Sequence, residues 1–108
     1  MNYKILNKDL VLYQGQNTSF QIQPIEEDGW KPNPSDLDIV GFVFRPMDDI
    51  GEYHEPIQID GSVGTIVYDP SRRFDYSYSY NLFVSTEDGQ KLFQRGNVII
   101  KNEHRIPD

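Results

Sequence analysis

Between Ser77 and Ser85 the chain reads SYSYNLFVS, with Tyr78, Tyr80, Leu82 and Val84 at alternate positions and Ser77, Ser79, Asn81 and Ser85 between them. Successive side chains of a β-strand point to opposite faces, so this stretch predicts a strand with one dry side and one wet side. A row of tyrosines could serve as a platform for sugars or bases. Here the row runs directly into Leu82 and Val84 on the same face, which assigns Tyr78 and Tyr80 to a core or its rim, each hydroxyl meeting a backbone group or water. Tyr76, at the entry to the strand, stays open.

The same period recurs along the chain, punctuated by Gly, Pro, Asn and Asp, while helical spacing is hard to find. A short opening segment spans Tyr3 to Leu6, and Leu10 to Tyr13 forms a strand closed by Gln14-Gly15. Thr18 to Gln23 alternates, with Phe20 and Ile22 facing inward. EEDGWKPNPSD, residues 26 to 36, carries a glycine and two prolines and reads as an extended loop. IVGFVFR, Ile39 to Arg45, is the most apolar run and is expected to be a central strand buried on both faces. MDDIGEYHEP then reads as an exposed acidic hairpin loop.

Ile57 to Ile59 and Gly64 to Tyr68 are short strands around an Asp60-Gly61 turn. Glu87-Asp88-Gly89 signals a hairpin from which Lys91 to Arg95 returns antiparallel. Gly96-Asn97 permits a bulge before Val98 to Lys101 continues the edge. The total is about seven to eight strands at roughly 8–12-residue spacing, the pattern of an all-β sandwich. A chain of 108 residues forms one domain by default and buries roughly 65% of its unfolded surface, enough for one core. The core is expected over about residues 10–101, with 102–108 as a frayed tail or linker.

Charge and composition exclude several functions. Asp plus Glu number 17 against 10 Lys plus Arg, a net charge of -7, and no basic run exceeds Arg72-Arg73, so phosphate-backbone binding is disfavoured. The acids cluster at turns, as solubility requires, and contact with a basic partner or mimicry of nucleic acid is the other reading. There is no cysteine, which removes disulfides and thiolate metal sites. The N-terminus lacks the apolar run of a signal peptide, and no stretch is long and apolar enough for a membrane span.

No catalytic constellation stands out, and the chain reads as a non-enzyme: a nucleophile needs a base and an orienting group, and no GxSxG occurs and no histidine lies within local reach of a Ser or Thr. His54, flanked by Glu52 and Glu55, and the oxygen-rich turns Asp48-Asp49 and Asp60-Gly61-Ser62 are the candidates for zinc or calcium. Exposed-loop and turn chemistry explains them adequately and is the preferred reading, and no metal or cofactor is expected. Arg72 and Arg73 solvate a loop. Trp30 and Tyr53 are the aromatics placed in charged loops. Exposed, they could stack on a sugar or anchor a protein; alternatively Trp30 folds back to close the end of the sandwich. With Asp48, Asp49, Glu52 and Glu55 they make up the candidate binding set.

The order of these signals resembles a known family. A strand ending in QGQ, then TSFQIQPIEEDG, SDLDIVGFVFRPMD, GTIVYDP and YSYNLFVSTEDGQKLFQRGNVIIK is similar to the small immunoglobulin-like modules of phage tail and baseplate proteins, above all the N-terminal module of baseplate upper proteins of phages of Gram-positive bacteria. The likeness runs from Leu10 to Lys101. It departs at Asp38-Ile39-Val40, where a threonine-glycine turn is usual, and in the acidic loop 46 to 56.

The resemblance implies an antiparallel immunoglobulin-like β-sandwich with a noncatalytic role in a phage or prophage tail assembly. Its partners would be other tail subunits or further copies of the chain, and its place the virion, after assembly in the host cytoplasm. Two other readings stay open: a carbohydrate- or surface-ligand-binding module that uses the loop aromatics, and a small acidic inhibitor of a host protein.

Overall fold

The computed structural model describes residues 2–45, 54–70 and 77–101, with only the backbone of His54. Over these residues the chain is all-β. Its strands are β1 (Leu6–Asn7), β2 (Leu10–Tyr13), β3 (Thr18–Gln21), β4 (Ile39–Phe44), β5 (His54–Pro56), β6 (Gln58–Asp60), β7 (Val63–Ile66), β8 (Tyr78–Thr86) and β9 (Gly89–Lys101). A single 3-10 turn, Pro34–Asp36, interrupts the long loop and is capped by the Asn33 side chain on the Ser35 amide. The strand count among the described residues is thus nine, above the expected seven to eight.

The strands make two sheets. One runs β1-β9-β8-β4-β5, with β2 also pairing β9; the other runs β3-β7-β6. β1 and β2 lie parallel to β9, end to end along one side of it, at Leu6–Asn7 opposite Gln94–Arg95 and Leu10–Tyr13 opposite Val98–Lys101. The larger sheet is therefore mixed rather than purely antiparallel. β9 is also no edge, because the N-terminal strands cover it. Sequence alternation reports which face a residue takes but not which strand lies beside it, and so the parallel partner left no signal.

β8 divides as its alternation predicts. Tyr78, Tyr80, Leu82 and Val84 are buried, with Tyr80, Leu82 and Val84 fully sealed, and Ser79, Asn81 and Ser85 lie on the other face. They join Leu10, Leu12, Ile39, Val43, Phe93 and Val98 of the same sheet and Phe20, Ile22 and Ile66 of the facing one. The Phe20 and Tyr80 rings meet across the two sheets with centroids 5.9 Å apart. Tyr3 belongs to this core as well, so the core begins before residue 10.

The β8–β9 hairpin turns at Glu87-Asp88, with Gly89 at φ 106°, a conformation that favours glycine. Its ladder slips between Leu82 and Phe83. The extra residue on β9 is Phe93, and the slip turns both Phe93 and the adjacent Gln94 inward. Gly96-Asn97, the expected place for a bulge, is regular strand. Gly96 is needed for close approach instead: a Cβ there would drive into the Lys8 carbonyl and come within 2.6 Å of its carbon.

Two further expectations are corrected. β4 is buried on one face only: Ile39 and Val43 point to the core, while Phe42 is 39% exposed and Val40 and Phe44 are half-buried. Residues 54–56, read as part of an acidic loop, are the edge strand β5, with Pro56, Glu55 and His54 opposite Phe42, Val43 and Phe44. Met1, residues 46–53, 71–76 (which include Arg72, Arg73 and Tyr76) and 102–108 (the expected tail, with His104) lie outside the described residues.

Candidate functional site

The face of the larger sheet turned away from the core brings together residues from β4, β8, β9 and β1. Register places Phe42 beside Asn81, Asn81 beside Arg95, and Arg95 beside Asn7. The next row runs Phe44, Ser79, Asn97, and Asp9 joins its end by accepting the Asn97 amide at 3.0 Å through Oδ1. Each row starts with a phenylalanine on β4 and continues into carboxamides, a hydroxyl and charged groups.

The polar part is partly tied together. Arg95 Nε donates to Asn7 Oδ1 at 3.2 Å, and the Ser79 hydroxyl donates to Asn97 Oδ1 at 3.4 Å. These residues line an open groove of about 440 Å³ with Phe44 at one end. Beside it Phe42, Phe44, Phe83 and Asn81 line a hollow of about 310 Å³. Further along the same face Ile99 is 43% exposed. The face therefore combines an apolar half on β4 and β8 with a hydrogen-bonding half on β8, β9 and β1.

Beneath the groove a buried polar link fixes the N-terminal strands. The Tyr80 hydroxyl donates to the Lys8 carbonyl and accepts from Gln94 Nε2 at 3.0 Å. Gln94 is only 2% exposed, and its amide would be costly to bury without this partner. Burial pushes the Tyr80 hydroxyl pKa above its ordinary value; the Gln94 hydrogen bond pulls it down, and the Asp9 charge adds to the rise.

Of the expected binding residues only Trp30 and Glu55 lie among the described residues, and they stand on different elements. Trp30 is 57% exposed and does not fold back to close the sandwich. Its amide donates to Asp28 Oδ1 at 3.0 Å and its carbonyl accepts from the Glu26 amide at 2.8 Å, so its own loop holds the ring outward. Glu55 sits half-buried on β5, opposite Val43, on a different element and in the other sheet from the strand that feeds the Trp30 loop. Asp48, Asp49, Glu52 and Tyr53 lie outside the described residues, as does the His54 side chain. Asp60-Gly61-Ser62 forms a turn with Gly61 at φ 58°.

Near Trp30, Glu26 is 5% exposed and its Oε1 has no hydrogen-bond partner. The Glu26 backbone pairs with that of Tyr3 in an isolated antiparallel β-bridge, and the Tyr3 hydroxyl pKa is raised first by burial and then by the Glu26 charge. Asn2, Glu26, Glu27 and Asp28 line a small acidic recess here. Among the described residues no group of three or more His, Asp or Glu is placed to hold a metal ion.

Sequence reasoning missed the outer face. Its one legible signal is Phe83, the apolar residue on the otherwise polar side of SYSYNLFVS, while the unbroken run IVGFVF reads only as a strand buried on both faces. No protein-family model matches the chain, and no curated protein is similar to it in sequence.

Proposed function

We propose that the chain is a noncatalytic structural and interaction module of a phage or prophage tail assembly, and that it docks on partner subunits through the outer face of its larger sheet. The observation that carries this reading is the cluster of Phe42, Phe44 and Phe83 on a broad sheet face. Half-exposed aromatic side chains beside a hydrogen-bonding rim are the usual make-up of a protein interface, where a few rings carry most of the energy.

The strand order supports an immunoglobulin-like sandwich. In that fold strands B, E and D share one sheet and C, F and G the other, with C′ added beside C in the variable type. β3, β7 and β6 take the first set of places, β4, β8 and β9 the second, and β5 that of C′. The inter-sheet disulfide of antibody domains has no counterpart, since the chain has no cysteine. The tail-assembly part of the proposal rests on the resemblance over Leu10 to Lys101.

The test is fractionation of the native source. The chain should sediment with tail particles or sub-assemblies; recovery only as a free monomer with no affinity for tail proteins contradicts the proposal.

One observation favours a second reading. Carboxamides of Asn7, Asn81 and Asn97 beside Phe44 in a groove of mixed charge are suited to the hydroxyls and apolar face of a saccharide. A glycan array probed with wild type, Asn81→Ala and Trp30→Ala decides it. Binding lost in Asn81→Ala supports the groove, binding lost in Trp30→Ala supports the exposed loop, and no binding by wild type ends this reading.

A further inference from the structure

The smaller sheet ends on β3, and among the described residues no strand pairs with the outer side of β3. The Ile22 amide donates to the Ser62 carbonyl at 2.7 Å, and the register places Thr18 and Phe20 opposite Ile66 and Gly64 in the same phase. In an antiparallel ladder alternate residues bond to the neighbour, so the amides and carbonyls of Ser19, Gln21 and Gln23 point away from β7. Among the described residues no backbone group bonds to them.

Farther along, the same side of the chain is already used. The Lys4 amide donates to the Ile25 carbonyl at 2.7 Å, and the Glu27 amide donates to the Asn2 carbonyl at 3.0 Å. Ile25 and Glu27 continue the odd-numbered series, so the N-terminal segment covers the edge beyond Pro24 and, among the described residues, leaves the outward backbone groups of Ser19 to Gln23 without a backbone partner; the Gln23 side chain donates to the Pro32 carbonyl at 3.0 Å.

The other sheet edges carry the devices that keep strands from adding to them, namely proline, charge and interruption. β5 has Glu55 and Pro56, β6 ends on Asp60, and the β1–β2 edge is broken at Lys8-Asp9. Asn17 to Gln23, NTSFQIQ, has no charge and no proline. Its exposed side chains are short or uncharged, and the Ser19 hydroxyl is held flat on the sheet at 2.9 Å from that of Thr65.

We propose that this edge pairs with the β3 of a second copy, antiparallel about a two-fold axis at Phe20. In that register Ser19 faces the copy's Gln21 and Gln21 faces the copy's Ser19, and each pair exchanges both of its backbone hydrogen bonds. Asn17 faces Gln23. The acids Glu26, Glu27 and Asp28 of the two copies go to opposite ends of the joint, so the negative charge of the chain is not concentrated across it. A parallel arrangement would set them side by side. The two three-stranded sheets become one continuous sheet, and the outer face of the larger sheet stays free for other subunits.

The test is sedimentation velocity over a wide concentration range, with amide hydrogen exchange of Ser19 and Gln21. The expected result is a concentration-dependent dimer in which both amides exchange at least about tenfold more slowly than at dilution. Gln21→Pro removes an amide that β7 does not use, and the variant is expected to keep the wild-type circular dichroism and remain monomeric. A wild type that stays monomeric, Ser19 and Gln21 amides that exchange fast at every concentration, or a dimer that Gln21→Pro leaves intact overturns the proposal. Should Gln21→Pro fail to fold, exchange on the wild type decides alone. A dimer lost in Phe42→Ser/Phe83→Ser but not in Gln21→Pro assigns self-association to the outer face, which overturns the β3 joint and leaves the docking role of that face standing.

Discussion

The Tyr80 hydroxyl bonds to the carbonyl of Lys8, 72 residues earlier in the chain, and so ties the centre of the last hairpin to the junction between the two N-terminal strands. The ring itself is fully buried. Tyr80→Phe leaves the Lys8 carbonyl and the Gln94 amide without this partner and is expected to cost about 1–3 kcal/mol. Tyr80→Ala, which also opens a cavity, should cost about 3–5 kcal/mol. Urea denaturation of both variants measures the difference.

Alkaline pH acts on the same residue. Its pKa is raised in the folded protein, chiefly by burial, so the folded state holds the proton more tightly than the unfolded chain. The corresponding stability is complete below the ordinary tyrosine value of about 10 and declines as pH rises from there through the folded value. Unfolding free energies measured from pH 8 upward should fall in that window, and Tyr80→Phe should fall less steeply. A parallel decline in both proteins would mean that another group is responsible.

Gly96→Ala is expected to destabilise by about 1–3 kcal/mol, as overpacking does, because the new methyl group meets Lys8 backbone rather than a flexible side chain. The effect should be local at first. Hydrogen exchange should show faster opening of Leu10 to Tyr13 than of β8, since β1 and β2 must move to make room.

How much of this was legible depends on the kind of information a residue carries. Tyr78 to Val84 announced both faces of β8, because burial on one side of a strand imposes a period that no turn or helix shares. Phe93 and Gln94 could not be read in the same way: they are consecutive yet both inward, and the slip that permits this is a property of the pairing with β8. Phe42 and Phe44 were misassigned for a related reason. An unbroken apolar run is what a doubly buried strand and a strand with an apolar docking face both require. Lys8-Asp9 gave no hint of its contact with Tyr80, since a backbone carbonyl has no letter in the sequence.

Trp30 offers a direct contrast with Tyr80. With its ring exposed on a loop held by Glu26 and Asp28, Trp30→Ala should change stability by less than about 0.5 kcal/mol. A melting temperature that drops as far as that of Tyr80→Ala would mean that the ring closes the sandwich after all.

The most direct test of the proposed docking role is the double variant Phe42→Ser/Phe83→Ser, scored for incorporation into the tail particles that the proposal requires, alongside its unfolding curve. Neither residue belongs to the core, so both can be replaced while the two sheets keep their packing. The expected result is a folded protein that is lost from the particles. Full incorporation of the folded variant would contradict it.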